Sequence, residues 1–579
     1  MNSGIRSFFS NLRKKRIIEI LAAFIASGWL IIEVVHFVLI GHYHFPEKTL
    51  DITIITLFSV LLCTLIWRWF SGQEQPRKFK LELVLIPLVV LITVLLDLNL
   101  LLHLKGPEPE IIPAAKWKNS IAVLPFVDMS PQKDQDWFCD GITDEIIGQL
   151  SNISELKVPA RTSVFFFKGK EQDIRDIGKK LGVATVLEGS IQKVESRLRA
   201  RVQLINIADG FHLWSQEFDR EMKDAFAIQD EIALAVVDKL KLTLLGDEKA
   251  KLARHYAIDP AAYEACLKGM YYWWQWSESE EVTTNALQYF RRAIEIEPNY
   301  APAHAGVALT YITASTWIGL WPARESMPKA KEAAERAIQL DPTLSDGYVA
   351  RGMARLYLDW DWAGAETDLK RAIKLSPNST LALDGYQGFL VPRGRFEESA
   401  GVMKRALELD PLSPALHNDL GWTYWVSGQF DHAVPYYRRA LELDRNFHGS
   451  RRCLGFSYLF TGKTAEALAE FKTAVQLAPD SPWNQAALGF AYGYTGRRAE
   501  ALKVLANLDQ LTQKRYVPPC VQAWVYAGLS QKDTALDWLE KAFEERDGWI
   551  ISMVEPQLAS LRNEPRFQAL LKKMGLLGK

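Results

Sequence analysis

Six carboxylates crowd one short stretch of this 579-residue chain: Asp128, Asp134, Asp136, Asp140, Asp144 and Glu145. Such an oxygen-rich group could hold a hard cation. Its spacing fails the calcium-loop pattern, and no glycine falls at the required turn. A solvated loop running into a helix N-terminus, which favours acids, accounts for it as well. Lys168-Gly-Lys170 and Gly189-Ser190 are fragments of a phosphate loop that neither completes. Glu188 reads as a strand-end or interface carboxylate rather than a catalytic acid. The five cysteines, at 63, 139, 266, 453 and 520, form no close pair and no histidine cluster joins them. Zinc and redox motifs are therefore unsupported, and buried or unpaired thiols are expected. No nucleophile stands beside a base. The residues predict no catalytic, cofactor or metal site, and no enzyme. With a net charge of −1, nothing global suggests nucleic acid either.

Recognition is the better-supported chemistry. Asn418, Arg451 and Arg452 sit on helical segments where no packing rule demands them, so they are the expected partner contacts. Arginine pairs bidentately with carboxylate, which would suit an acidic partner. Tyr271, Tyr272, Trp273, Trp274 and Trp276 form an aromatic cluster. Core packing against a neighbouring domain explains it better than a stacking platform, because large aromatics mostly serve burial.

These segments are positioned by a repeat. Leu420, Gly421, Tyr424, Ala433, Tyr437 and Ala440 return 34 residues later as Leu454, Gly455, Tyr458, Ala467, Phe471 and Ala474, closed by Pro479. Leu488, Gly489, Tyr492 and Ala501 continue the series. This period and spacing resemble the tetratricopeptide repeat, a helix–turn–helix unit. The resemblance implies a solenoid whose first helices line an inner wall that holds a protein or peptide. Gly421 and Ala433 are expected to be small where two helices approach. Tyr424 and Phe471 are expected to fill the groove between hairpins. Second-helix signatures end at Pro298, Pro342, Pro377 and Pro411, with Arg445 replacing the next proline. The wide first interval implies an insertion near 316–326. About seven to eight hairpins follow from the period, with a capping helix after Pro556 over the last apolar face.

Residues 118–250 read as a small α/β (α+β) domain. Residues 120–126 form a buried strand, and Asp140-Gly141 open a helix that Thr143 can cap. Residues 184–194 and 198–207 pair about a turn near Glu195, and 211–218 add a third strand. Leu198, Ala200, Val202 and Leu204 alternate with Arg199, Arg201 and Gln203, giving one dry face and one wet. A long helix runs from Asp224 to about Leu244. Phe138-Cys-Asp-Gly141, Ala160-Arg-Thr-Ser163, Leu187-Glu-Gly-Ser190, His212-Leu-Trp214 and Phe218-Asp-Arg220 resemble the bacterial TolB amino-terminal-like, or FlgO-like, domain. In such chains this domain precedes tetratricopeptide repeats. It follows either a membrane anchor or a cytoplasmic effector: a winged-helix, cyclase or kinase domain. Only about 16 residues precede the first apolar run here, so direct transcriptional or cyclase activity is not expected.

Residues 1–105 carry three apolar runs, 17–40, 52–70 and 83–104, each near the ~20 residues that cross a bilayer as helix. Arg6, Arg13, Lys14, Lys15 and Arg16 precede the first, and Arg68, Arg77, Lys78 and Lys80 lie between the second and third. Basic flanks stay in the cytoplasm. The expectation is a three-span anchor with a cytoplasmic N-terminus. Glu33, His36, Asp97 and Asn99 fall toward the outer ends of their spans, where charge is tolerated. Residues 106–117 form an extended proline–acid linker. The α/β domain and the repeat superhelix, 251–579, are then expected in the periplasm.

The whole reads as a multidomain protein of three transmembrane helices, a small α/β domain and an all-α tetratricopeptide solenoid. Its expected role is a membrane-anchored interaction scaffold or sensor, with a homo-oligomer left open. The alternative is a regulator that passes a signal through the spans to a separate cytoplasmic effector.

Overall fold

The computed structural model describes residues 32, 48–70, 93, 119–195, 197–221, 225–242, 244, 258–275 and 279–576. The first and third apolar runs, apart from Ile32 and Thr93, lie outside these residues. So do Glu33, His36, Asp97, Asn99, the linker and Trp276. The chain divides into two compact units, Met1–Glu108 and Pro109–Lys579.

In the first unit the second apolar run forms α1, Lys48–Phe70. Ile54, Phe58, Val60 and Leu62 are exposed along it, and Ser59 Oγ lies 2.5 Å from Thr93 Oγ1. Among the described residues no helix is long and apolar enough to cross a membrane.

The second unit opens with a mixed sheet. Its strands are β1 (Ile121–Val123), β2 (Val127–Asp128), β3 (Thr185–Val194), β4 (Arg197–Asn206) and β5 (His212–Glu221). The order is β1-β3-β4-β5, with β2 also beside β3. β1 and β2 run parallel to β3, while β3, β4 and β5 form an antiparallel meander. The alternation on β4 holds. Leu198, Ala200, Val202 and Leu204 are buried, whereas Arg197, Arg199 and Arg201 pair with Asp219 and Glu217 of β5 across the open face. Four helices accompany the sheet: α2 (Asp136–Ser151), α3 (Arg161–Phe165), α4 (Ile174–Leu181) and α5 (Ala225–Lys239).

Two expectations for this part are corrected. The helix begins at Asp136, because Phe138 and Cys139 are already core residues and extend its apolar face a turn earlier. Thr143 is consequently internal, not a cap: its hydroxyl donates to Cys139 O and accepts from Phe126 N. The acidic cluster is not simply solvated. Asp128 is buried and accepts the backbone N–H groups of Ser130 and Gln135, each at 2.8 Å. Asp140, also buried, pairs with Lys168 Nζ at 2.6 Å. Both acids tie loops to the domain, as buried carboxylates with donors do.

Eight helical hairpins follow among the described residues. They are α6/α7 (Pro260–Trp273, Glu280–Ile296), α8/α9 (Ala301–Ser315, Ala323–Leu340), α10/α11 (Ser345–Ala354, Trp362–Leu375) and α12/α13 (Thr380–Leu390, Phe396–Leu409). Then come α14/α15 (Pro414–Val426, Phe430–Leu443), α16/α17 (His448–Phe460, Thr464–Leu477), α18/α19 (Pro482–Tyr494, Arg498–Leu511) and α20/α21 (Lys532–Glu544 being the second, Pro519–Gly528 the first). Two 3₁₀ turns, Ile550–Val554 and Pro556–Leu561, lead into the capping helix α22, Pro565–Lys573.

The repeat glycines do what the spacing requires. A Cβ on Gly421 would lie 2.7 Å from the Tyr437 ring, and one on Gly455 would lie 2.8 Å from the Phe471 ring. Phe471 thus packs within its own hairpin, and Tyr424 stacks on Tyr436 of its own hairpin at 5.5 Å while also packing on the cluster of Leu383, Met403 and Leu407 from the hairpin before. Tyr458 does bridge hairpins, since its hydroxyl accepts from Arg438 at 2.8 Å. Ala433, Ala440, Ala467 and Ala474 are all fully buried between helices, and Pro479 lies just beyond α17.

The α/β part is seated on the repeats, not held beside them. Tyr263, Leu267 and Leu412 of the repeats belong to its hydrophobic core. Ala160 N donates to Leu409 O at 2.8 Å. Ser163 Oγ donates to Asp410 and accepts from Leu412 N at 2.9 Å. Asn378 donates to Ser151 O and Leu156 O. Within the aromatic cluster Trp274 Nε1 donates to Asp144 at 3.1 Å, in line with a packing role against the neighbouring domain.

Substituting Gly455→Leu is expected to overpack the hairpin against Phe471 and lower stability by about 1–3 kcal/mol. A urea melt of the variant reads this directly. Gly449→Ala, within α16 and with open space for the added Cβ, is the control expected to hold or slightly raise the midpoint.

Candidate functional site

The first helix of each hairpin contributes one stripe of side chains to the inner wall. On α14 that stripe includes Asn418, Asp419 and Trp422, and on α16 it includes Arg452 and Cys453. Asn418 Nδ2 donates to Asp419 at 3.1 Å, and its oxygen accepts from Ser450 Oγ at 3.0 Å. Arg452 Nη1 donates to Asn484 Oδ1 of α18 at 3.2 Å. Arg451 does not join them. One residue along a helix turns the side chain by about 100°, and Arg451 pairs instead with Glu470 of α17 at 3.1 Å and with Arg445 O. Asn418 and Arg452 therefore share the wall, and Arg451 holds its own hairpin together.

Residues that the repeat pattern gives no reason to select complete the wall. Asp384 of α12 and Asp419 of α14 share a hydrogen bond. Burial raises both carboxyls, Asp384 to about 6, and the neighbouring Asp384 raises Asp419 as well. Two adjacent carboxylates resist double ionisation, so the pair holds a proton more tightly than either alone.

A length of the chain's own C-terminal region lies across this wall. Glu555, between the two 3₁₀ turns, is buried at 2% exposure. It accepts from Trp422 Nε1 at 2.9 Å and from Gln557 Nε2 at 2.5 Å. Burial pushes its carboxyl up to about 7, against an opposing pull from Arg452. The Trp549 ring lies 6.1 Å from Trp422 and 5.7 Å from Trp483. A Cβ on Gly548 would fall 2.9 Å from Thr316 of the insertion after α8. Arg515 Nη2 also donates to Gly319 O of that insertion at 3.2 Å. The chain's own C-terminal region thus covers part of the wall, while Asn418, Asp419, Trp422 and Arg452 stay half-buried.

A second acidic group lies at the α/β–repeat junction. Glu145 of α2 is raised to about 7, chiefly by burial and then by Asp144, Asp346 and Asp230. Asp346 of α10 is raised to about 6 by burial and by Asp144. Asp410 is raised to about 6 by burial, against the pull of its Ser163 hydrogen bond. Arg161 approaches Asp144 at 3.9 Å. Among the described residues no cluster of His, Cys, Asp or Glu is arranged to hold a metal.

Comparison with known proteins bears on both parts of this unit. Residues 117–235 match the family model of the HilA/YgeH-like transcriptional regulator, second domain. Residues 414–447 match the tetratricopeptide repeat. The chain carries a regulator-type second domain followed by tetratricopeptide repeats. Over 256 residues it is 36% identical to a protein named putative adenylate cyclase 3 from Rhizobium meliloti (strain 1021), covering 44% of this chain and 42% of that one. The chain thus spans under half the length of this curated relative. Among solved structures it is similar to PilW, titled a widely conserved type IV pilus biogenesis factor, at 20% identity over 36% of this chain and 92% of that one, with a TM-score of 0.31. It is also similar to a human IFIT1 dimer with m7Gppp-AAAA, at 15% identity over 61% and 80%, with a TM-score of 0.39. Neither likeness bears on function.

The junction carboxylates bind protons more tightly folded than unfolded. Their contribution is full below about pH 4.5 and is lost as pH rises through about 6 to 7. The thermal midpoint of the chain is therefore expected to fall between pH 5 and pH 8. Glu145→Gln should make that fall shallower, as thermal melts across the range would read.

Proposed function

We propose that this chain is a membrane-anchored interaction protein whose repeat region takes a protein or peptide partner on the outer, periplasmic side of a bacterial inner membrane. The observation that carries the recognition part is the inner wall itself. Asn418, Asp419, Trp422 and Arg452 bring polar and aromatic groups from successive hairpins onto one surface, and repeat superhelices present such surfaces to partners. The anchor part rests on three apolar runs and their basic flanks. The exposed apolar side chains of α1, at Ile54, Phe58, Val60 and Leu62, suit a lipid or protein neighbour. The finer kinship of residues 118–250 to the TolB amino-terminal-like domain, and the absence of turnover, belong to the same reading.

A second reading is a signalling regulator that passes a signal through the spans to a separate cytoplasmic effector. The match to a transcriptional regulator's second domain and the relative named as a cyclase favour it.

Two measurements test these readings. A reporter active only after export should be active when fused after Ile112 and silent when fused near Gln73. The reverse pattern sinks the topology. A photoreactive residue at Asn418 in the full chain, irradiated in intact membranes, should crosslink an outer-side protein. Capture of a cytoplasmic protein instead would favour the second reading.

A further inference from the structure

One margin of the mixed sheet is unpaired. β5 ends the strand order, and among the described residues no strand lies on its far side. A strand bonded on one side only leaves alternate N–H and C=O groups facing outward. Proteins blunt such edges with lysine, proline, bulges or inward-pointing charge. β5 has one of these devices, at its start, where Leu204 pairs with Trp214 but Ile205 with His212, so that Leu213 stands out of register. From Trp214 to Glu221 the pairing with β4 is regular, with no lysine or proline. The charges in this stretch are already matched within the chain. Glu217 pairs with Arg201 at 2.6 Å, Asp219 with Arg197 at 2.6 Å, and Arg220 with Glu231 at 3.0 Å.

The side chains tell the same story. Trp214, Gln216 and Phe218 lie opposite Leu204, Val202 and Ala200 of β4, on the dry face. All three β4 residues and Phe218 are buried, and the Trp214 and Phe218 rings meet edge to face at 6.3 Å. Trp214 is only half-buried, and Gln216 between the two rings is exposed. Leu213 and Phe211, at the strand's start, are exposed at 49% and 72%. The apolar layer of the sheet therefore reaches its edge and is left uncovered there.

We propose that β5 pairs antiparallel with β5 of a second copy of this chain, about a twofold axis at Gln216. Residues opposed in an antiparallel pair project to the same face, so an axis relating two identical strands must pass through a residue position. At Glu217 it would set two like charges face to face. At Ser215 it would set Trp214 against Gln216. At Gln216 it sets Trp214 against Phe218 of the second copy, and does so twice, giving two of the aromatic cross-strand pairs that stabilise sheets. The two Gln216 amides then meet, and each can donate to and accept from the other. The result is one continuous sheet, β3-β4-β5 of one copy running into β5-β4-β3 of the next. Such a contact uses the same strand from both copies, so it closes on itself and leaves neither edge open.

Cysteine placed at the axis of the full chain, oxidised mildly before purification, tests this pairing. Gln216→Cys brings two Cβ atoms to about 5 Å, and most of the chain should become a disulfide-linked pair. Leu213→Cys, on the same strand, holds its two thiols roughly 20 Å apart by strand rise and should give about tenfold less. The unsubstituted chain, whose own cysteines are buried or half-buried, sets the background. Sedimentation in mild detergent supplies a second reading. The unsubstituted chain should have the mass of a pair. Gln216→Lys, at an exposed position that tolerates the change, sets two ammonium groups at the axis and should have the mass of a single chain. A single-chain mass for the unsubstituted protein overturns the proposal, as does equal crosslinking from Leu213→Cys. So does a Gln216→Lys chain that stays paired, or a Gln216→Cys chain caught on a different protein. The partner reading of the repeats stands or falls separately, on the crosslink from Asn418.

Discussion

Three hairpins share one steric fit, a glycine of the first helix lying against an aromatic ring of the second, and at Gly352 and Gly489 the side chains of Leu369 and Val504 take the ring's place. At Gly421 against Tyr437 and Gly455 against Phe471 the approach is too close for any Cβ. That contact sets how far apart the two helices stand, and its repetition sets how each hairpin stacks on the next. The turns share the same discipline: Gly428, Gly462 and Gly496 all adopt a positive φ near 80°. Because interiors are packed to crystal-like density, small and repeated offsets of this kind accumulate into a definite superhelical curve. Everything else in the second unit is placed by that curve.

Its first consequence is closure. The curve brings the insertion after α8 against the last hairpins, where Gly319 accepts from Arg515 and Thr316 meets Gly548. The inner wall becomes partly covered, with the C-terminal 3₁₀ turns lying against Trp422 and Trp483. The second consequence is the seat for the α/β part. The ends of α11 and α13 present Asn378 and Asp410 to it, and Ser163 and the carbonyls of Ser151 and Leu156 receive them. The sheet and the repeats therefore share a hydrophobic core and form one compact unit rather than two domains on a linker.

Enclosure also explains the electrostatics. A carboxylate on an isolated hairpin would face water and keep its ordinary affinity for protons. Glu555, Asp384, Glu145 and Asp346 instead face protein, and in each the loss of hydration is the leading cause of the upward shift. Cations are scarce at both places, Arg452 at the wall and Arg161 at the junction. This chain has nearly balanced charge overall, yet its two interfaces are locally acidic. Enclosed acids of this kind make both interfaces responsive to pH near neutrality.

The sequence by itself determined what is local and periodic. The 34-residue spacing located the hairpins, the wide proline interval located the insertion, and the alternation on β4 assigned its dry and wet faces. These are legible because a helix or strand writes its own period into neighbouring residues. It misjudged where a start depends on burial from elsewhere, as at Asp136, and it took Asp128 and Asp140 as solvated when loops fold back over them. It offered Asn418, Arg451 and Arg452 together as partner contacts, whereas Arg451 turns to Glu470 while Asn418 and Arg452 occupy equivalent positions of successive hairpins. Asp384, Glu555 and Trp549 could not have been selected at all. Their importance comes from meeting residues far away along the chain, Glu555 with Trp422 and Gly548 with Thr316. No local period records which distant segment a superhelix will bring back onto itself, so only the tertiary structure decided how the wall is closed.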